Sequence, residues 1–488
     1  MSKVVINCLT TGIAGLDTVL GGGVPEFSFN VIAGPPGSGK TTLAHQIMFA
    51  MVKEHAPVLY FTVMGEPPLK MLRYQQQFDF FEQDRLGQSI HFINLSEETF
   101  GGDLKLVLQR IVAEVQTHQP ALVFLDSFRS MVLAGEVDPH SNSRLQQFLQ
   151  QLGQLLTSWQ ITSFLIGEYF NESGGNPIFT VADGLIWMHQ NVQRNSMVRK
   201  LEIMKMRGQP ILPGLHTCRI SSARGIEVFA PSDTMAHQGD VLPAPDGAAR
   251  LSLGVDYLDA MMGGGLPCGY SLLVVGPSGS GKTILATAFL AEGAARGETA
   301  VIANFEHNPF RSRNPRLAKL INDGYVSLLD CRAPDLSIDE LALRLVEEIR
   351  RLDARRVVID SLSGFELSLA PAFREDFRES LARLIRTLAS IGLTVLLISE
   401  VEDDYTKLRL SPYGTAFLAD AIIMQRYVEV ESRLLRAMAV VKLRGSRHSN
   451  QLRQFTIDND GIHLGETLAD QQGLLGGQPS ANPGDDFL

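Results

Sequence analysis

GGGVPEFSFNVIAGPPGSGKTTLA, residues 21–44, returns in altered form as GGGLPCGYSLLVVGPSGSGKTILA, residues 263–286. Each copy contains G-x-x-x-x-G-K-T, at Gly34–Thr41 and at Gly276–Thr283. Glycines in this pattern let backbone N–H groups curl around a phosphate, while the following helix points its N-terminus at the same charge. The spacing assigns phosphate contacts to Gly34, Gly37, Ser38, Gly39, Lys40, Thr41 and Thr42, and to Gly276, Gly279, Ser280, Gly281, Lys282, Thr283 and Ile284. Lys40 and Lys282 are expected to reach the β- and γ-phosphates of ATP, and Thr41 and Thr283 to ligate Mg2+. A glycine-rich turn that binds nothing is the plainer alternative. It is disfavoured because both copies follow an apolar strand and open a helix.

Working outward, an offset of 242 residues aligns Leu9–Ala44 with Leu251–Ala286 without a gap, and 17 of the 36 positions are identical. LVFLDS at Leu122 then pairs with RVVIDS at Arg356, and KMRG at Lys205 with KLRG at Lys442. A repeat this long means two tandem domains rather than a solenoid. At 488 residues the chain is also too long for one core. The expected division is 1–230, a linker 231–249 rich in Pro and small residues, 250–466, and a tail 467–488 too poor in apolar residues to pack.

Short apolar runs alternate with helix-length segments. Strands are expected at Phe29–Ala33, Val58–Phe61, His91–Asn94, Leu122–Leu125 and Ser163–Ile166, with helices at Thr41–Lys53, Pro68–Phe78, Asp103–His118 and Arg144–Ser158. That alternation predicts an α/β fold with a mostly parallel sheet flanked by helices. From Gly184 the strands crowd together and read as an antiparallel extension, and the second half repeats the order. Trp159 and Trp187 sit among apolar residues and read as core.

Asp126 and Asp360 each end an apolar run, where a carboxylate can hold the metal's water shell. Hydrolysis also needs a group that orients or deprotonates water. Glu66 and Glu306, each followed shortly by proline just past the second strand, are the candidates.

On its glycine triplets, its duplicated phosphate loops and its K-x-R-G tetrapeptides, the chain resembles the KaiC family of ATPases from about Leu9 to Leu464. The resemblance implies two tandem RecA-like P-loop NTPase domains. It also implies a catalytic pair of adjacent glutamates after the second strand. Here each pair is broken, to Gly65-Glu66 and Glu306-His307, which leaves one carboxylate per site. It further implies a homo-hexameric ring with nucleotide between neighbouring subunits. Lys205, Arg207, Lys442 and Arg444 then act as catalytic cations on a neighbour's γ-phosphate, and a KaiB-like regulatory protein is a candidate partner. Glu168 and Glu400, closing the fifth strands, can sense the γ-phosphate or be plain surface carboxylates.

Clock members of the family phosphorylate adjacent Ser and Thr residues, and alignment on Asp420 puts Ala416 and Phe417 at those positions. A serine/threonine autokinase is therefore the weaker reading, with Thr415 or Ser411 as shifted acceptors. A DNA-dependent motor of the RecA or DnaB kind is weaker still. Its affinity would come from phosphate neutralisation, and the net charge is −10. Arg311, Arg313, Arg316 and Lys319 read as a solvated helix face. Four scattered cysteines and the lack of any long apolar run or signal-like start lead to the expectation of a cytoplasmic protein without a membrane partner. No histidine pattern asks for a metal beyond Mg2+.

Overall fold

The computed structural model describes residues 6–52, 57–63, 68–99, 104–127, 141–169, 177–193, 196–231, 249–305, 314–331, 336–374, 377–401, 415–430, 432–468, 471–472 and 480–481. The chain divides into two compact units, Met1–Ala230 and Pro231–Leu488.

In the first unit nine strands form one sheet: β1 Phe29–Gly34, β2 Val58–Thr62, β3 Ile90–Asn94, β4 Leu122–Asp126, β5 Thr162–Glu168, β6 Gly184–Gln193, β7 Ser196–Met206, β8 Leu215–Ser221 and β9 Gly225–Phe229. Their spatial order is β3-β2-β4-β5-β1-β6-β7-β8-β9. All pairings from β3 across to β6 are parallel, and the remaining three are antiparallel. The parallel core strands are buried along both faces, which is why they read as continuous apolar runs. Alternation sends Ile32, Tyr60 and Phe124 to one face, where helix α1 (Lys40–Met51) packs with Leu43 and Ile47. Val31, Leu59 and Val123 go to the other, against α2 (Leu104–His118) and α3 (Ser141–Ser158).

The second unit repeats this plan with β10 Ser271–Gly276, β11 Ala300–Asn304, β12 Val326–Asp330, β13 Arg356–Asp360, β14 Thr394–Glu400, β15 Ala421–Val430, β16 Arg433–Leu443, β17 Arg453–Ile457 and β18 Ile462–Thr467. The order β12-β11-β13-β14-β10-β15-β16-β17-β18 matches the first unit strand for strand. Helix α4 (Lys282–Ala295) covers one face, and α5 (Ile338–Leu352) and α6 (Phe377–Ser390) the other. Among the described residues of the last stretch, Gln471–Gln472 pairs antiparallel with Ser480–Ala481.

The α/β class, the five parallel strands and the antiparallel extension agree with the expectation from periodicity. Two local readings need correction. The strand from Gly184 is antiparallel only to β7; its other edge runs parallel to β1, from Asn30↔Gly184 to Ala33↔Trp187. Close strand spacing reports hairpins but not what lies on a strand's far side. Trp159 is 38% exposed, whereas Trp187 is buried. Trp159 follows the last residue of α3, where the apolar stripe has already left the core.

The glycine triplets have a packing reason. A Cβ on Gly23 would lie 2.3 Å from the Leu9 carbonyl oxygen, and one on Gly265 would lie 2.5 Å from that of Leu251. Only glycine lets the short Cys8–Leu9 and Arg250–Leu251 strands lie against Val24–Pro25 and Leu266–Pro267.

Arg356, at the start of β13, is fully buried where the first unit has Leu122. Its Nε lies 2.6 Å from Glu298, and one terminal nitrogen donates to the carbonyls of Ser252 and Phe289 at 2.9 and 2.8 Å. It therefore ties α4 to the strand edge. Arg356→Met is expected to cost about 2 kcal/mol, because it takes the donor from the buried Phe289 carbonyl and the cation from the half-buried Glu298. Denaturant unfolding of the full chain checks this, and a transition of the second unit that does not move would refute it.

Candidate functional site

Each phosphate loop joins the end of a central strand to a helix. Gly34 closes β1, α1 opens at Lys40, and Gly276 and Lys282 repeat the arrangement. Gly39 and Gly281 precede the helices at φ 105° and 108°, and a Cβ there would lie 2.7 Å from Ile220 and 2.5 Å from Ile457. No side chain caps either helix start, so the first-turn amides remain available to an anion. Gly37, Ser38, Gly279 and Ser280 form the loop crests, with both serines buried. Thr42 and Ile284 follow on the helices, half-buried.

Lys40 Nζ donates to the Pro35 carbonyl at 2.8 Å, and Lys282 Nζ donates to Gly276 and Pro277 at 2.9 and 2.7 Å. Both ammonium groups thus arch over their own loops. Burial pulls the Lys40 pKa down, against the opposing pull of Glu168 and Asp126. Glu400 places a carboxylate oxygen 3.8 Å from Lys282.

Sheet order places β4 one strand from β5 and two from β1, so its terminal aspartate reaches the loop. Thr41 Oγ1 donates to Asp126 Oδ2 at 3.0 Å, and Thr283 Oγ1 to Asp360 Oδ2 at 2.9 Å. Burial raises the Asp126 pKa, while hydrogen bonds from Tyr60 and Thr41 and the charge of Lys40 hold it down. Tyr60 is itself pushed well above its ordinary pKa by burial and by Asp126, so its phenol stays a donor. The peptide bonds Asp126–Ser127 and Asp360–Ser361 are cis.

In the second unit these groups line a pocket of about 460 Å³, with Ser278, Gly279, Lys282, Thr283, Asp360 and Glu400 on its walls. Arg436 and Ile457 complete it from β16 and β17. Sequence reading missed Arg436. The available signal was that both repeats carry an arginine six residues before the K-x-R-G lysine, Arg199 and Arg436. Arg199 faces Gln190 across its hairpin as Arg436 faces Tyr427.

Lys205 and Arg207 lie elsewhere. Lys205 pairs with Leu185 beside Val31, three residues before Gly34, roughly 10 Å down the strand from the loop at ~3.3 Å per residue. Lys205 Nζ donates to the carbonyls of Phe179, Thr180 and Ala182, and Arg207 lies 3.2 Å from Asp183. In the second unit Lys442 donates to Ala416 and Ala419, and Arg444 to Asp420 and the Phe417 carbonyl. Arg207 and Arg444 remain 61% and 54% exposed. The two cations of each pair therefore share a face, at the opposite end of the sheet from their own unit's loop.

Glu66, Glu306, Ser411, Arg311 and Arg313 lie outside the described residues. Arg316 donates to the Asp460 carbonyl at 2.8 Å. Among the described residues there is no cluster of three or more His, Cys, Asp or Glu suited to a metal, and no helix long and apolar enough to cross a membrane.

A family model described as ATPase: KaiC matches residues 9–233 and 251–469. The chain is 26% identical over 493 residues to the Circadian clock oscillator protein KaiC of Picosynechococcus sp., covering 97% of this chain and 93% of that protein. It is 26% identical over 498 residues to the Circadian clock protein KaiC3 of Synechocystis sp., covering 97% and 95%.

Proposed function

The chain belongs to the KaiC family of ATPases, and from that premise we propose that both units bind Mg-ATP at their glycine loops and hydrolyse it between neighbouring subunits of a homo-hexameric ring. The observation that carries this reading is the pairing of a loop threonine with a strand-end aspartate beside the loop lysine, at 3.0 Å in one unit and 2.9 Å in the other.

Loop amides and the helix start take the phosphates, and Lys40 and Lys282 turn from loop carbonyls to the β- and γ-oxygens. The hard oxygens of Thr41 and Asp126, and of Thr283 and Asp360, suit Mg2+. When bound, Mg2+ neutralises charge on the β- and γ-phosphates. Glu66 and Glu306 orient or deprotonate the attacking water, while Glu168 and Glu400, at the strand ends beside the lysines, sense the γ-phosphate. Lys205 and Arg207, and Lys442 and Arg444, sit at the wrong end of their own sheets to act in cis. They serve the nucleotide of an adjacent subunit. The output is conformational, read by a regulatory protein of the KaiB kind, in keeping with the clock names of similar chains. Autokinase activity is the competing reading, disfavoured because Ala416 and Phe417 carry no hydroxyl.

One incubation of purified protein with γ-labelled Mg-ATP tests the reaction. Free labelled phosphate without label on the chain is expected. Stable label on the chain would make the protein an autokinase instead.

Glu66→Gln with Glu306→Gln is expected to preserve ATP binding and slow hydrolysis about a hundredfold, the lower range for a positioned acid–base group. Phosphate release and nucleotide titration together check this. Unchanged turnover would move the role to Glu168 and Glu400.

A further inference from the structure

In the first unit the strand-end aspartate is held by a second buried donor. Tyr60, third residue of β2, is fully buried and donates its phenol to Asp126 Oδ2 at 2.8 Å. That is the oxygen which also accepts from Thr41. Sheet register explains the meeting: Tyr60 pairs with Phe124 and Thr62 with Asp126, so Tyr60 and Asp126 project from the same face, one alternate position apart.

The ring cannot swing away. It stacks on Phe124 at 5.8 Å, lies 5.0 Å from Phe92, and meets the edge of His45 at 4.8 Å. His45 stands on α1 four residues after Thr41, so consecutive turns of that helix carry the loop hydroxyl and the wall that holds the phenol. The corresponding register position in the second unit is Ile302, which has no donor. At the position of His45 stands Thr287, which donates to the Thr283 carbonyl and accepts from Asn314, both at 2.8 Å.

We propose that Tyr60 is a positioning residue for the divalent cation of the first unit, holding the Asp126 carboxylate in one orientation. The inference rests on the reading of Asp126 as the cation-side carboxylate. Partners that fix a carboxylate near a metal change metal affinity by about 10- to 100-fold when removed, although they never touch the metal.

The test uses the full chain carrying Lys282→Ala, so that the first unit alone takes nucleotide. Mn2+ is titrated by electron paramagnetic resonance in the presence of a non-hydrolysable ATP analogue, and binding of the analogue is measured separately in EDTA. Tyr60→Phe is expected to weaken Mn2+ about tenfold and leave the cation-free affinity within about twofold. Asp126→Asn in the same background is expected to remove the cation dependence. If Tyr60→Phe keeps the parent Mn2+ affinity while Asp126→Asn loses it, the phenol is packing and the proposal is wrong. Equal weakening with and without cation overturns it too, because the loop itself has then moved. If Asp126→Asn keeps its Mn2+ affinity, the reading of Asp126 fails and the proposal falls with it. Should Tyr60→Phe fold poorly, His45→Leu removes the wall and retains the phenol. A Mn2+ affinity about threefold weaker supports the proposal, and an unchanged one overturns it.

Discussion

Lys282→Ala is expected to abolish ATP binding in the second unit and leave the first intact, with Lys40→Ala doing the converse. Each lysine is nearly buried and already hydrogen-bonded to its loop. On binding, those bonds are exchanged for charge-assisted ones to phosphate oxygens, worth about 2 kcal/mol each. Losing two such bonds costs about 4 kcal/mol, or about a thousandfold in affinity. Titration of the full chain with ATP should fall from two equivalents to one in either single variant. If either substitution removes both equivalents from a ring that stays assembled, the two loops are not independent sites.

The second large effect concerns the exposed cations at the far end of each sheet. In a Lys40→Ala background, which leaves the second site to be read alone, Arg444→Ala is expected to lower hydrolysis about a thousandfold, as for an arginine supplied in trans. A protein carrying Lys282→Ala in the same background is equally inactive, for a different reason: it lacks the loop lysine. Mixing the two should restore activity. A loop from the Arg444→Ala chain then meets cations from the Lys282→Ala chain, at about a quarter of interfaces if a head-to-tail ring assembles at random. Phosphate release after subunit exchange is the readout. A mixture as silent as its components would show that Arg444 does not act across an interface.

The second effect follows from one geometric feature. Strand β6 runs parallel to β1, so its first residue lies beside the beginning of β1 and not beside the loop at its end. Lys205 on β7, with Arg207 just past the strand's end, is held at that same remote end. Nothing in the tetrapeptide KMRG states this; it depends on which neighbour β6 chooses.

The phosphate loops, the five parallel strands and the positions of Asp126 and Asp360 were legible in the sequence by itself. Each depends on contiguous residues: glycines that permit φ above zero, a buried strand written as an apolar run, and a carboxylate placed where that run ends. The duplication strengthened every such reading, since two copies kept the same local grammar. Only the tertiary structure decided what lies beside what. Tyr60 reaches Asp126 across 66 residues because β2 and β4 are neighbours in register. Arg436 enters the second pocket because its hairpin runs past the loop. Lys205 and Lys442 face away from their own sites because of strand direction. Trp159 stayed exposed because α3 ended before it. Local motifs carry backbone conformation in their own residues, whereas side chains brought together by sheet order and register leave no mark at any single position.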